Sequence, residues 1–212
     1  MNKIHQANVW VYTQCVKTAI NYDLPIEFSK EELMRITDHP CVYCGEEPLN
    51  FKRSLVDRLV PDSGFVAGNV VPACKLCVRT KGACDVKTFL SRCWQISYVH
   101  GGPGGYTNNW NDVKFKTYDQ YKSENYHKDF RLTPEEYYAL RSGNCTYCQR
   151  ETTKTHTNGI DRVDNDVGYV VDNCVTCCHD CNMLKLVTPR EEFIAHVIKI
   201  ATRVRDISRQ HP

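Results

Sequence analysis

The sequence predicts an α+β protein built from two tandem zinc modules, each with a short β-hairpin and flanking helices. Two observations lead to this prediction. The chain of 212 residues contains 13 cysteines, many of them in Cys-x-x-Cys pairs. In addition, much of its first half recurs in its second half at a constant spacing. Paired cysteines in a chain without secretory features indicate metal binding rather than disulfides.

The repeat has an offset of 104 residues, the distance from Cys41 to Cys145 (145 − 41 = 104). Further pairs at this offset are Asp57-Arg58 with Asp161-Arg162, Gly64 with Gly168, Asn69 with Asn173, Lys81 with Lys185, and Phe89 with Phe193. The offset holds without insertion or deletion, which indicates a duplication. We therefore predict one module at 1–100, a Gly-rich linker at 101–112 and a second module at 113–212.

Local signals predict helices at the start of each module. Aromatic and aliphatic residues recur along 7–22 and 113–126, as expected for helices. A second helix should follow in each copy, because each has the capping-box pattern of a hydroxyl residue followed three positions later by a glutamate. The boxes are Ser29 with Glu32 and Thr133 with Glu136.

The middle of each module predicts a β-hairpin. Short β-branched runs flank a glycine-bearing turn at 54–71 and again at 158–175. The second Cys-x-x-Cys of each copy then opens a helix. A last helix follows, and in the second copy "TPREEF" marks its start with a capping threonine and a proline in the first turn.

Each copy supplies four cysteines in two pairs. The gap between the pairs is the same in both copies, since 74 − 44 = 30 and 178 − 148 = 30. Four thiolates in two pairs on either side of a hairpin suit a tetrahedral structural zinc ion, which would also stabilise a module with a small apolar core. The predicted ligands of two structural zinc ions are Cys41, Cys44, Cys74, Cys77, Cys145, Cys148, Cys178 and Cys181.

The remaining cysteines are predicted to be ordinary thiols. Cys174 and Cys177 align with the apolar residues Val70 and Ala73, so we interpret them as small buried residues. A second metal pair in a shifted register is the alternative. The other three, Cys15, Cys84 and Cys93, have no cysteine counterpart and are interpreted as core or surface thiols.

Charge and hydropathy exclude some classes of function. The formal net charge of +2 falls to about −2 when two zinc ions and eight thiolates are counted, so nucleic-acid binding would require a local patch. No run approaches the ~18 apolar residues of a membrane span, and the N-terminus lacks the apolar stretch of a signal peptide. We therefore expect an intracellular protein, cytoplasmic, nuclear or virion-associated, without membrane contact.

The second copy, "CTYCQ" followed by "NGIDRVDNDVGYVVDNCVTCCHDCNMLK", resembles the HNH endonucleases in their four-cysteine zinc form. These belong to the ββα-metal, or His-Me finger, group. The resemblance covers both copies and is more complete in the second. It implies that Asp161 binds a catalytic Mg²⁺ or Mn²⁺, that Asn173 braces the hairpin loop, and that Asn182 completes the ion site.

The chain departs from this family at the general base. Arg162 stands where the family usually has histidine, as does Arg58 in the first copy, and arginine stays protonated at neutral pH. It could instead clamp a phosphate. His156 and His179 are alternative bases, although neither matches the family spacing. In the first copy Val78 replaces Asn182 and cannot bind an ion, so we expect that copy to be catalytically inactive.

Three hypotheses for the function follow. The first is an HNH-type endonuclease that binds DNA and cleaves it with a divalent ion in the second module. The second is a non-catalytic tandem zinc module that binds DNA or RNA, and the third is a structural component of a nucleoprotein or other large assembly. Basic side chains suited to phosphate contacts are Arg58, Lys75, Arg79, Lys81 and Lys185.

Overall fold

The structure, a computed structural model, describes residues 3–48 and 54–210, with side chains described from residue 10 onward. The chain divides into two compact units. Unit 1 comprises Met1–Leu90 with Thr202–Pro212, and unit 2 comprises Ser91–Ala201. These limits follow tertiary contacts, whereas the predicted limits follow the sequence repeat and remain a prediction. The predicted linker at 101–112 lies entirely within unit 2.

The chain begins with two helices, α1 (Lys3–Asn21) and α2 (Lys30–Thr37). A hairpin of β1 (Leu55–Arg58) and β2 (Val70–Ala73) follows, with a 3-10 turn at Pro61–Ser63 between the strands. The short helix α3 (Lys75–Lys81) comes directly after the hairpin, and α4 (Val86–Val99) closes the first copy. This order of elements is the one predicted from the sequence.

The second copy repeats the pattern with a shorter first helix. Its elements are α5 (Tyr118–Asn125), a 3-10 turn at Tyr126–Lys128, α6 (Pro134–Ser142), β3 (Gly159–Arg162), a 3-10 turn at Val171–Asn173, β4 (Cys174–Cys177), α7 (His179–Lys185) and α8 (Arg190–Gln210). The predicted helix at 113–126 is wrong in its first part, because the helix starts only after the Thr117 cap. Residues 113 and 115 instead donate backbone hydrogen bonds to the side chains of His156 and Thr157.

The two hairpins have the same antiparallel register. In the first copy Asp57 faces Val71 across the sheet, and in the second Asp161 faces Val175. Gly64 ends the turn of the first hairpin with a φ of 73°, in the left-handed region that favours glycine. A Cβ at this position would lie 2.6 Å from Pro25, so the turn needs glycine for space as well. The predicted hairpins are confirmed.

The capping boxes place the second helix of each copy. The Ser29 hydroxyl accepts from the Glu32 backbone N–H, and the Thr133 hydroxyl accepts from that of Glu136. In both boxes the glutamate side chain accepts the backbone N–H of the cap in return. These four bonds satisfy donors that a helix start leaves open, so both helices begin where the sequence predicts.

Each unit has its own apolar core beside its hairpin. The core of unit 1 contains Val11, Cys15, Ala19, Leu33 and Phe65. That of unit 2 is largely aromatic, with Tyr137 and Tyr169 joined by Leu132, Ile160 and Cys174 and packed against Tyr118, Tyr121 and Phe130. Many of the tyrosines of unit 2 therefore pack internally. Within the described ranges no helix has the length and hydropathy needed to cross a membrane.

Candidate metal centres and buried polar triads

Among the described residues, two groups of four cysteines bring their sulfur atoms together. They are Cys41, Cys44, Cys74 and Cys77 in unit 1, and Cys145, Cys148, Cys178 and Cys181 in unit 2. Within each group all sulfur atoms lie within 4.8 Å of one another. These are the eight ligands predicted from the sequence. Each group therefore forms a candidate metal centre.

The spacing of the sulfur atoms fits a tetrahedral zinc site. The Cys44 and Cys74 sulfurs are 3.7 Å apart, and so are those of Cys148 and Cys178. Zinc–sulfur bonds of about 2.3 Å at tetrahedral angles place neighbouring sulfurs about 3.8 Å apart. The donor set is also the one that structural zinc prefers. Each centre can therefore hold a structural metal ion such as zinc.

Short helices position the second pair of ligands in each centre. Cys74 is the N-cap of α3, and its sulfur accepts from the Cys77 backbone N–H at 3.4 Å. Cys178 caps α7 in the same way, with Cys181 N–H donating at 3.4 Å. The sulfur thus replaces the usual capping oxygen, and the N–H groups at the helix start stabilise thiolate charge.

The thiols of the unit 1 centre affect one another's protonation. Hydrogen bonding to Cys44 lowers the pKa of Cys41 from its ordinary value, whereas hydrogen bonding to Cys41 raises the pKa of Cys77. Ionisation of the Cys41 thiol is thus favoured, while ionisation of the Cys77 thiol is disfavoured. A divalent cation removes this repulsion and permits four thiolates, so binding of the metal is coupled to loss of protons.

The two extra cysteines of the second copy lie outside the metal centres. Cys174 is part of the apolar core of unit 2, and burial raises its pKa to about 12. Cys177 is buried, and its thiol donates to the backbone carbonyl of Cys178 at 3.2 Å. The prediction that both are buried is confirmed, and neither belongs to the group of four sulfur atoms in unit 2. Cys15 and Cys93 are buried and Cys84 is partly exposed.

A buried polar triad of Tyr147, Asp161 and Lys185 lies next to the metal centre of unit 2. The Asp161 carboxylate accepts from the Tyr147 hydroxyl at 2.6 Å. Its two oxygens also lie 3.2 and 3.1 Å from the Lys185 ammonium, whose side chain is fully buried. The ammonium additionally donates to the Arg162 carbonyl at 3.1 Å. The charge of Asp161 is therefore neutralised internally.

Unit 1 contains the same triad at the repeat positions. The Tyr43 hydroxyl donates to Asp57 at 2.5 Å, and the Lys81 ammonium lies 3.2 Å from the same carboxylate oxygen. Lys81 also donates to the Arg58 carbonyl at 2.7 Å. In each unit the triad ties the first zinc knuckle, the first strand and the zinc helix together. A buried ion pair needs such additional hydrogen bonds to offset the cost of removing charges from water.

Burial governs the ionisation of these triads. It raises the pKa of Tyr147, and the nearby Asp161 charge raises it further. The pKa of Tyr43 is raised for the same two reasons, with Asp57 as the charge. Burial also raises the pKa of Asp161, against the opposite effects of Tyr147 and Lys185. Both tyrosines are therefore neutral hydrogen-bond donors at every physiological pH.

The arginine that follows each aspartate supports its hairpin loop. The Arg162 guanidinium donates to the carbonyls of Asn165 at 2.8 Å and Val167 at 3.1 Å, and it lies 5.1 Å from the centre of the Tyr169 ring. In unit 1 Arg58 donates to the Pro61 carbonyl and lies over the Phe65 ring. Both guanidinium groups thus brace loops while keeping part of their surface exposed.

Asn173 braces the hairpin loop of unit 2, as the resemblance implied. Its side chain accepts from the Asp164 backbone N–H at 2.9 Å and donates to the carbonyls of Asp164 and Gly168. Asn69 makes the corresponding contacts with Val60 and Gly64 in unit 1. This pair of loops therefore has the same internal support.

The predicted ion ligand Asn182 and the alternative bases His156 and His179 have different surroundings. Asn182 is half-buried on α7, and its side chain has no hydrogen-bond partner in the described part of the chain. His156 is fully buried: its Nδ1 accepts from Val113 N–H, and its Nε2 lies 3.1 Å from the Asn158 side-chain oxygen. His179 is exposed at the start of α7. His156 is therefore engaged in holding the residues before α5.

The candidates for phosphate contacts differ in accessibility. Lys75 is exposed and Arg58 and Arg79 are half-buried. Lys81 and Lys185 are buried in their triads, with exposed fractions of 1% and 0%. Contrary to the expectation from the sequence, these two ammonium groups cannot meet phosphates, because each is enclosed with an aspartate. The buried triads were not predicted from the sequence. The feature of the sequence that indicates them is the recurrence of their Tyr, Asp and Lys at an offset of 104 residues.

The fold and these sites define a class: a chain with two repeated four-cysteine metal centres, each beside a β-hairpin. The chain is 32% identical over 180 residues to "Uncharacterized protein R423" of Acanthamoeba polyphaga mimivirus. The match covers 82% of this chain and 33% of that viral protein, so the chain spans about a third of the length of this relative. No family model matches the sequence, and no solved structure matches it.

Proposed function

We propose that this chain is a non-catalytic, HNH-like tandem zinc module that binds nucleic acid. The observation that carries the proposal is the buried carboxylate of Asp161. In the family that the sequence resembles, a carboxylate at this position binds the catalytic cation. Here the ammonium of Lys185 already occupies the position of a cation beside it. A divalent ion would have to displace a buried charge and leave it unpaired, at a large cost.

The side chains available to activate water support the same conclusion. Arg162 cannot accept a proton at neutral pH, and its guanidinium is engaged with loop carbonyls. The buried His156 already uses Nδ1 as an acceptor for a backbone N–H. A single-ion nuclease requires both a bound cation and an activated water molecule. The triad and the loop contacts use the corresponding residues to hold the fold.

The distribution of charge favours unit 1 as the nucleic-acid-binding part. Unit 1 has 14 Lys and Arg against 11 Asp and Glu, a formal balance of +3, whereas unit 2 has 13 against 14, a balance of −1. A zinc ion with four thiolates adds −2 to each. Lys75, exposed in the first turn of α3, is the side chain of the zinc helix best placed to reach a phosphate.

Two measurements test the proposal. Purified protein with zinc bound should not nick supercoiled plasmid in Mg²⁺ or Mn²⁺. Nicking that disappears in Asp161→Asn, in a variant whose zinc content and circular dichroism spectrum match those of the unmodified chain, would refute the non-catalytic role. Asp161→Asn is the appropriate variant because it keeps an acceptor for the Tyr147 hydroxyl.

The second measurement concerns binding. Fluorescence anisotropy with a labelled DNA duplex, and with an RNA duplex of the same sequence, should give a Kd that rises with salt concentration. Lys75→Ala should reduce the slope of log Kd against log salt concentration by about one ion. Lys154→Ala, which replaces an exposed lysine of unit 2, should leave this slope unchanged. Binding that is absent, or that does not respond to salt, would contradict the nucleic-acid part of the proposal.

One observation favours a second candidate, a protein-binding role in a larger assembly. Unit 2 exposes large apolar side chains on its hairpin loop and around its zinc helix, namely Val167, Val171, Met183 and Val187. Exposed apolar side chains of this kind are typical of protein contacts when they form one patch. A protein complex that is lost when Met183 and Val187 are replaced by serine would support this role.

A further inference from the structure

Unit 1 contains a cavity of about 350 Å³ that none of the roles above uses. It lies between helix α1, strand β1 and the zinc helix α3. Its volume falls at the lower end of the range of small-molecule sites, which is about 300–1,000 Å³. The cavity is therefore large enough for a ligand of one or two rings.

The walls of the cavity are mainly apolar. They are formed by Trp10, Val11, Leu55, Val56, Phe65 and Val78. The indole of Trp10 is 55% exposed, so one aromatic wall remains accessible from solvent. A ligand with a flat apolar body would cover these surfaces and gain from leaving water.

The charged side chains that line the cavity are Asp57 and Arg58. The Lys81 ammonium, which is not part of the lining, neutralises the Asp57 carboxylate, and the Tyr43 hydroxyl donates a hydrogen bond to it. Arg58 is the remaining charge in the lining. Its Nη1 donates to the Pro61 carbonyl, and in the described part of the chain the other N–H groups of its fork have no acceptor. An anion beside Arg58 would supply the missing acceptors.

The first copy differs from the second at the positions that shape this cavity. Val78 and Gly82 line it in unit 1, where the second copy has Asn182 and Leu186. Gly82 and Leu186 share a positive φ, 54° and 49°, which glycine adopts without strain and leucine does not. Gly82 therefore relieves backbone strain and also omits a side chain that the second copy carries at this helix end.

We propose that this cavity binds a small organic anion with a flat apolar body and a single carboxylate, sulfonate or phosphate group. The body lies against Trp10, Phe65 and Val78, and the anionic group accepts hydrogen bonds from Arg58. Two sources have this chemistry: a free aromatic acid and a nucleoside monophosphate. The proposal is independent of nucleic-acid binding by the chain, because it concerns the cleft between α1, β1 and α3 and not the exposed Lys75 of α3.

The test uses 8-anilino-1-naphthalenesulfonate, which combines an apolar ring system with one sulfonate. Titration of the full chain with zinc bound should give saturable binding of one molecule per chain, with a rise in dye fluorescence and quenching of tryptophan emission. Arg58→Gln should weaken binding about tenfold or more, since it removes a charge-assisted hydrogen bond. Arg162→Gln, the same substitution at the repeat position, should change the Kd by less than twofold.

Two further variants separate filling of the cavity from unfolding. Gly82→Leu introduces the residue of the second copy and should block the dye, while zinc content and circular dichroism stay unchanged. Val78→Phe should do the same through a bulkier wall. If the dye fails to bind the unmodified chain, or if Arg162→Gln weakens binding as much as Arg58→Gln, the proposal is overturned.

Displacement of the dye identifies the source of the ligand. Displacement by 1-naphthoate but not by adenosine monophosphate supports a free aromatic acid, and displacement by the nucleotide supports the other source. If neither compound displaces the dye at millimolar concentration, the cavity does not recognise this chemistry and the proposal is wrong. The anisotropy titrations with duplexes are separate from this assay, so failure of one does not imply failure of the other.

Discussion

Replacement of Lys185 by methionine should destabilise unit 2 strongly. The Lys185 ammonium lies about equally close to both Asp161 oxygens, at 3.2 and 3.1 Å, and neither side chain is more than 3% exposed. Methionine preserves much of the volume of the side chain but leaves the carboxylate buried without its cation. Removal of one partner from such a pair costs about 3–5 kcal/mol, because the remaining charge is uncompensated.

Urea unfolding followed by circular dichroism measures this effect. A loss of about 4 kcal/mol with an m-value of about 2 kcal/mol/M lowers the midpoint by about 2 M. Lys154→Met, a substitution of an exposed lysine of the same unit, should change the unfolding free energy by no more than about 0.5 kcal/mol. Lys81→Met should destabilise unit 1 in the same way, because Lys81 is paired with Asp57.

A double variant tests whether unpaired charge is the cause. Asp161→Asn together with Lys185→Met removes both charges and keeps an acceptor for the Tyr147 hydroxyl. The double variant should be more stable than Lys185→Met alone, with a coupling energy of at least about 1 kcal/mol. If Lys185→Met unfolds within 1 kcal/mol of the unmodified chain, or if the two losses simply add, the argument from the buried ion pair is refuted.

Three further outcomes are expected. Elemental analysis should give two zinc ions per chain. Cys181→Ala should reduce this number to one and destabilise unit 2, since the site needs four thiolates. If this variant retains two zinc ions, the predicted set of ligands is wrong. Cys177→Ala should retain both ions, because the first copy has the fully buried Ala73 at this position, and a zinc count below two would show that Cys177 contributes. Burial lowers the pKa of His156 from its ordinary 6.5, so the imidazole is protonated more readily in the unfolded chain than in the folded one. The contribution of the neutral imidazole to the free energy of unfolding is therefore complete above pH 6.5 and is lost as the pH falls below 6.5. His156→Gln should therefore show a smaller loss of unfolding free energy than the unmodified chain between pH 7 and pH 5, and an equal loss would mean that other groups cause the acid sensitivity.

The sequence alone determined the repeat and the metal centres. One offset aligns both copies, and the gap of 30 residues between cysteine pairs is repeated, so the eight ligands follow from spacing. The hairpins and capping boxes followed from patterns within a few residues, where local conformational preferences decide the structure. The same alignment predicted that Cys174 and Cys177 are not ligands.

Only the tertiary structure decided what the polar residues of the repeat do. A lysine on a seven-residue helix can face water or the core, and the sequence does not state which; here Lys185 turns inward because the Asp161 carboxylate and the Arg162 carbonyl offer it acceptors. The start of α5 likewise depended on distant partners, since His156 and Thr157 accept the backbone N–H groups of 113 and 115 that a helix would use. Such pairings join residues far apart in the chain, and their energies depend on burial that a local sequence pattern does not encode.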